Sequence, residues 1–293
     1  MDSKKHNALQ LLTFLTRSQL WAILPDRLAG LMAGGYMSDW EAAKPSIKGT
    51  GNNRVAVIPV QGVLTKDGPS WLGSNYDGIT NAVEQAGADS TVKHVVLAVD
   101  SPGGEVIGLP ETAAALASVA KVKPVSALVE GMSASAAYWL TSQASDIALT
   151  PSGEVGSVGV RMMHMDISKM LDDIGVKPTE ISSGSYKTEW SPYKPLTEEA
   201  IADMQGRLDA VHTEFLTAVT IGRGMRASQE MRESRFGEGR MMSASVALGH
   251  GLVDSLASPR EFYKTLTPAP EVEDASPQYG LPRRARLERA RFS

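Results

Sequence analysis

Between Arg54 and Leu149 short β-branched or aliphatic runs alternate with apolar positions at helical spacing, without an internal sequence repeat. Val55–Val63, His94–Val99, Pro124–Val129 and Asp146–Leu149 read as strands, and Lys177–Ile181 reads as a further one. Thr80–Ala88, Leu109–Ala120, Ser135–Gln143 and Ile167–Ile174 read as the intervening helices. Strands that alternate with helices predict crossover units and an α/β fold. A longer helix follows. Ile201, Met204, Leu208, Val211, Phe215 and Val219 recur at steps of three or four and mark one buried face. Thr197 is its expected N-cap, with Glu198 and Glu199 in the first turn where the helix dipole favours anions. Ser243–Asp254 reads as a short helix closed near Gly249, then a strand.

The 293 residues suit one large domain or two small ones. Helical spacing over residues 1–45, with a break or kink at Pro25, predicts a helical N-terminal extension. Residues 46–53, Ser-Ile-Lys-Gly-Thr-Gly-Asn-Asn, read as a linker because glycine and asparagine favour turns. Residues 54–266 form the expected core domain. Residues 267–293, poor in aliphatics and rich in proline and arginine, read as a disordered tail. The chain has 29 Lys and Arg against 33 Asp and Glu, a net charge of −4, so it lacks the basic footprint of a nucleic-acid coat protein. With 0 cysteines it has no disulfide, thiolate metal site or cysteine nucleophile. The apolar stretch Leu9–Met37 is interrupted by Arg17, Asp26 and Arg27, short of the ~20 mostly apolar residues of a spanning helix. No membrane span or secretory leader is expected.

Four motifs carry possible chemistry. Asp100-Ser101-Pro102-Gly103-Gly104 follows an apolar strand; a tight turn into a helix there would offer backbone N–H groups to an anion or oxyanion. Gly131–Trp139 opens a helix with Ser133 and Ser135 among alanines, a setting that favours a serine alkoxide. Gly156-Ser157-Val158-Gly159-Val160 brackets one serine with glycines. Ser182–Lys187, followed by Ser191-Pro192-Tyr193, holds a lysine that would serve as general base only when neutral. Each motif also has an ordinary reading: a turn, a helix cap, a bend, a surface lysine.

In this order the motifs resemble those of the signal peptide peptidase A family of serine–lysine proteases, over roughly Arg54 to Leu256. The run from Tyr186 to Tyr193 and the N-terminal extension are most similar to its phage branch, the capsid assembly proteases of lambda-type phages. The resemblance implies a Clp protease/crotonase-like fold of ββα units. It implies Ser135 as nucleophile, Lys187 as general base, the Gly104 and Ala136 N–H groups as oxyanion hole, and Ser157 as the residue orienting Lys187. It implies no metal or other cofactor and a homo-oligomer. The implied setting is a prohead in the host cytoplasm, with capsid scaffold or portal protein as substrate and self-cleavage at the chain's ends. Lambda-type proteases often continue into a scaffold region; this chain stops soon after the core, so a scaffold is expected as a separate product.

Four rivals stand beside this reading. A Ser-His-Asp triad would recruit His164, 29 residues after Ser135, with Asp166 nearby. An acyl-CoA enzyme of the crotonase type would need an oxyanion loop but no Ser/Lys pair. A capsid component could keep the fold without the chemistry. A cellular signal-peptide peptidase would need access to membrane-embedded peptides. His6, His94, His212 and His250 have no partners at metal-ligand spacing.

Overall fold

The computed structural model describes residues 20–24, 44–51 and 54–266. Its strands are β1 (Trp21–Ile23), β2 (Ser46–Lys48), β3 (Arg54–Leu64), β4 (Val92–Glu105), β5 (Val125–Ala134), β6 (Asp146–Leu149), β7 (Glu154–Gly156), β8 (Met241–Ser243) and β9 (Ser255–Leu256). Its helices are α1 (Tyr76–Ala88), α2 (Leu109–Ala120), α3 (Ala136–Thr141), α4 (Ser168–Asp173), α5 (Glu198–Arg223), α6 (Gln229–Glu233), α7 (Ala244–Gly249) and α8 (Pro259–Leu266). The main sheet runs β2-β3-β4-β5-β6-β9, parallel from β3 to β9, with β2 antiparallel at the edge. This is the expected α/β class.

Parallel neighbours need a crossover, and α1, α2 and α3 supply the three between β3 and β6. Covered on both faces, β4 and β5 carry nearly continuous Val, Leu and Ala runs, with Val95, Val96, Leu97, Val125, Ala127, Leu128 and Val129 all fully buried. Asn75 caps α1 by accepting from the Gly78 N–H at 2.7 Å. Thr197 caps α5 through Ala200 at 3.1 Å, as its sequence predicts. That long helix packs Phe215 on Trp139 of α3, with ring centroids 4.7 Å apart, and buries Val219. Ile201 on the expected buried face is instead 53% exposed, while its neighbours Ala200 and Met204 are buried, so the buried face of the first turns passes beside Ile201.

Arg223, at the end of α5, is fully buried. Its guanidinium forms a two-point bridge to Asp254, at 2.7 and 3.0 Å, and donates to the Gly251 carbonyl. Asp254 also accepts from the Ile147 N–H at 2.8 Å, so one carboxylate joins α5, β6 and the C-terminal unit.

Four expectations are corrected. Lys177–Ile181 is not a strand; it lies in an irregular exposed segment where Ile181 is 95% exposed, since no sheet edge or core surface receives its apolar residues. Asp100–Gly104 is not a turn into a helix: β4 continues through it to Glu105, and α2 starts after Gly108. Residues 21–23, within the expected helical extension, form a strand, and the rest of residues 1–43 lies outside the described residues. The stretch read as a linker contributes β2, and the tail from residue 267 is likewise outside the described residues.

Candidate active site

The sheet forks at its centre. β4 and β5 pair side by side as far as Ser101 and Ser133, then separate. Beyond that point Gly103–Glu105 pairs with β1, while Met132–Ala134 pairs with β7. Asp100 ties the prongs together by accepting from the Met132 N–H at 3.1 Å. Gly131 leaves room for this: a Cβ there would sit 2.6 Å from the Asp100 Oδ1. Burial, with the Asp100 charge adding to it, raises the neighbouring Glu130 carboxyl above the usual carboxylate range.

Ser135 stands at the crotch of the fork, between β5 and α3, and is 1% exposed. Its φ of 55° and ψ of −119° lie where a side chain is strained. Such a conformation costs about 1–3 kcal/mol and persists only when its surroundings fix it. Here they do. The Ser135 N–H donates to the Gly156 carbonyl at 2.8 Å, and the Trp139 N–H donates to the Ser135 carbonyl at 3.0 Å. Ala134, Ala136 and Ala137 are fully buried around it. Gly103 is the matching hollow: a Cβ there would lie 2.9 Å from the Ala134 carbonyl oxygen and 3.0 Å from the Ser135 Cβ. The Ser135 hydroxyl donates to the Gly159 carbonyl at 3.2 Å.

The other serine of this motif is committed elsewhere. Ser133 is fully buried and its hydroxyl pairs with that of Thr141 at 2.8 Å. Geometry therefore separates the two: a strained strand-to-helix turn for Ser135, a strand-to-helix strut for Ser133. In α/β-hydrolases a sharp strand-to-helix turn of this kind presents a nucleophilic hydroxyl.

The remaining candidates fall into two groups. Gly104 lies on the prong facing β1, packed so closely on Leu64 that any Cβ would collide with the Leu64 carbonyl. Ala136 is the first residue of α3, where a backbone N–H has no intrahelical acceptor. Ser157, also at positive φ (53°), donates its N–H to the Arg240 carbonyl at 2.8 Å and is 7% exposed. Each is next in the chain to the Ser135 turn or to a residue packed on it: Ala136 follows Ser135, Gly104 follows Gly103, and Ser157 follows Gly156, whose carbonyl accepts the Ser135 N–H. Lys187 does not join them. It sits in the exposed turn 182–190, where its N–H donates to the Gly184 carbonyl at 3.2 Å, and no hydrogen bond links its ammonium to another described residue. It lines a depression of about 340 Å³ with Glu180, Tyr186, Trp190 and Arg207. The triad alternative is not assembled either. The hydroxyl and the N–H of Ser168, the latter at 2.9 Å, donate to Asp166 and hold its carboxyl below the usual range, and no hydrogen bond joins His164 to Ser135.

Comparison with known proteins adds to this geometry. A model of peptidase family S49 matches residues 117–273, more than half of the chain. The chain belongs to peptidase family S49. Within it, the chain is similar to the capsid assembly protease C of Escherichia phage lambda, with 34% identity over 210 residues, 70% of this chain and 47% of that protein. It is also similar to the head-tail preconnector protein GP5 of Enterobacteria phage P21, with 36% identity over 177 residues, 59% of this chain and 35% of that one. The chain thus spans less than half the length of either relative. A solved variant of the membrane-bound stomatin-specific protease 1510-N aligns with a TM-score of 0.45 and 13% identity, covering 71% of this chain and 82% of that one. No helix among the described residues is long and apolar enough to cross a membrane.

Sequence reasoning missed two parts of the site. The sequence reading places Asp100 only as the first residue of a turn motif, whereas its carboxylate bridges the fork. Leu20–Leu24 was read as helix; its signal was a run of apolar residues of strand length ending at Pro25.

Proposed function

We propose that the chain is a serine endopeptidase with a Ser/Lys dyad that acts on capsid scaffold or portal protein inside a phage prohead. The observation that carries the reading is the Ser135 turn, buried and strained at the fork, with the Gly104 and Ala136 backbones on either side. In the proposed reaction the Ser135 hydroxyl attacks a peptide carbonyl and gives its proton to a neutral Lys187. The oxyanion is taken by the Gly104 and Ala136 N–H groups, the leaving amine takes the proton, and water then releases the acyl group from Ser135. Ser157 is the proposed orienting group for the lysine. The similarity to the capsid assembly protease C of phage lambda and the head-tail preconnector protein GP5 of phage P21 supports the setting.

Lys187 must reach Ser135 from outside the arrangement described. The segment that bears it exposes Met163, Met170, Ile174, Val176 and Ile181, a set of apolar side chains that burial against another surface would stabilise. The reading therefore includes a homo-oligomer in which this segment packs against a second copy and delivers its lysine there. A second reading, a capsid component without catalysis, draws on the same separation of Lys187 from Ser135. Cleavage of a scaffold-derived peptide by wild-type chain, lost in Ser135→Ala and in Lys187→Arg, is the expected result; arginine keeps the charge but cannot serve as base. Undiminished cleavage by Lys187→Arg overturns the dyad, and a wild-type chain inert toward peptides favours the second reading.

A further inference from the structure

The fork is occupied. Leu20–Leu24, remote in sequence from everything it touches, lies in it as an extended strand held on both edges. On one edge the Val106 N–H donates to the Leu20 carbonyl at 3.1 Å and the Leu24 N–H donates to the Pro102 carbonyl at 3.0 Å. On the other, Trp21 and Arg161 exchange N–H···O bonds of 2.9 and 2.8 Å. Trp21, Ala22 and Ile23 are each at most 3% exposed. Extended backbone inserted between two chain edges is how a peptide is bound by strand addition.

The register points to the reaction centre. Ala22 faces Gly104 in an antiparallel ladder. Hydrogen-bonded pairs alternate along such a ladder, so bonds at Leu20/Val106 and Leu24/Pro102 make Ala22/Gly104 the bonded pair between them. The Ala22 carbonyl thus takes the N–H proposed for the oxyanion. The same carbonyl oxygen would collide with any Cβ on Gly103, the point that lies 3.0 Å from the Ser135 Cβ. Ala22 is fully buried, so the position that presents its carbonyl at Ser135 has space for a methyl group and little more.

We infer that the fork is a peptide-binding cleft for extended segments with a small side chain at the Ala22 position, and that Leu20–Leu24 is its internal ligand, which must withdraw before a substrate strand enters. This rests on the peptidase reading for its purpose, but its test does not require catalysis.

In full-length chain carrying Ser135→Ala, binding of the end-blocked, fluorescent peptide Leu-Trp-Ala-Ile-Leu is measured by anisotropy. Adding Ala22→Arg, too large for the buried slot, evicts the internal strand and should tighten binding at least tenfold. The peptide with arginine in place of alanine should bind neither chain. Ala22→Pro, which deletes the N–H that Ala22 contributes to the ladder without adding a long side chain, should act like Ala22→Arg and serves if the arginine variant does not fold. Equal affinities with and without the Ala22 change, no binding to the evicted chain, or equal binding of the arginine peptide each overturn the inference. Peptide binding without any cleavage by the Ser135-intact chain would leave the cleft standing and remove the dyad; cleavage without a response to Ala22 changes would do the reverse.

Discussion

Ser135 and Lys187 belong to the same proposed reaction but to opposite kinds of structure. Ser135 is enclosed by β4, β5, β7 and α3, with its backbone bonded on both sides and its neighbours trimmed to alanine and glycine. Lys187 sits in a run of turns with one local backbone bond and an exposed side chain. The place of Ser135 is dictated by a core that would have to be rebuilt to move it. The lysine's place is dictated by little within one chain. In the proposed reaction the fold would prepare the serine and leave the lysine to be supplied by assembly.

The largest effect expected is at the enclosed half. Ser135→Ala should lower peptide cleavage on the order of 10⁴-fold or more, as removal of a serine nucleophile does, with a melting temperature close to wild type because only a hydroxyl is lost. Wild-type chain made alone should be shortened at one or both ends, and Ser135→Ala should keep full intact mass. A comparable loss in Ser133→Ala with normal stability would move the nucleophile to the other serine.

At the open half, Lys187→Ala should cost about 10²–10⁴-fold, the range for a general base. Mixing it with Ser135→Ala, both inactive alone, sharpens the contrast: if the lysine is delivered by a second copy, activity returns on mixing. Continued inactivity of mixed oligomers would place both groups in one chain and require the 161–193 segment to rearrange.

Stability should divide along the same line. Arg223→Leu leaves the partly buried Asp254 carboxylate with only the Ile147 N–H and Arg226, 3.8 Å away; breaking a fully buried pair costs about 3–5 kcal/mol, and the loss here should approach the lower end of that range. Ile181→Ser, on the exposed segment, should change monomer stability by less than about 0.5 kcal/mol. Chemical denaturation of the two variants measures both. Equal effects would mean that the exposed segment is as firmly anchored as the frame.

The smallest effect is a pH response of the frame alone. His94 is partly buried and its Nε2 lies 2.9 Å from the Ser126 hydroxyl. Burial lowers its pKa, so the unfolded chain binds the proton more readily than the folded one. Its stabilising effect is complete above the ordinary histidine value, about 6.5, and is lost as the pH falls below it. The fall in melting temperature from pH 7 to pH 5 should therefore be smaller in His94→Gln. An unchanged slope would assign the acid response to other groups.

What the sequence made legible follows from this division. The strands at Val55–Val63 and Asp146–Leu149, helix α2 and the Thr197 cap were readable because local pattern and burial agree there. The Ser135 motif stood out because close packing demands alanine and glycine in a row. Lys177–Ile181 misled because its apolar residues copy a strand although no sheet receives them. The continuation of β4 through Gly103 and Gly104 was hidden because the glycines serve a close approach by Leu64, Ala22 and Ser135, all distant in sequence, and not a turn. Leu20–Leu24 was hidden for a similar reason: its partners lie about Pro102–Val106 and at Arg161, and helical spacing in one dimension says nothing of them.

The internal strand in the fork also sets terms of competition. Because Leu20–Leu24 is on the same molecule as its cleft, it meets the site at an effective concentration that does not depend on how much protein is present. Dilution does not weaken it, whereas a foreign peptide is weakened in proportion. In dilute solution the tethered strand wins, and only a crowded supply of substrate, or severance of the tether, reverses the outcome. Activity would then report local protein concentration rather than the number of enzyme molecules present.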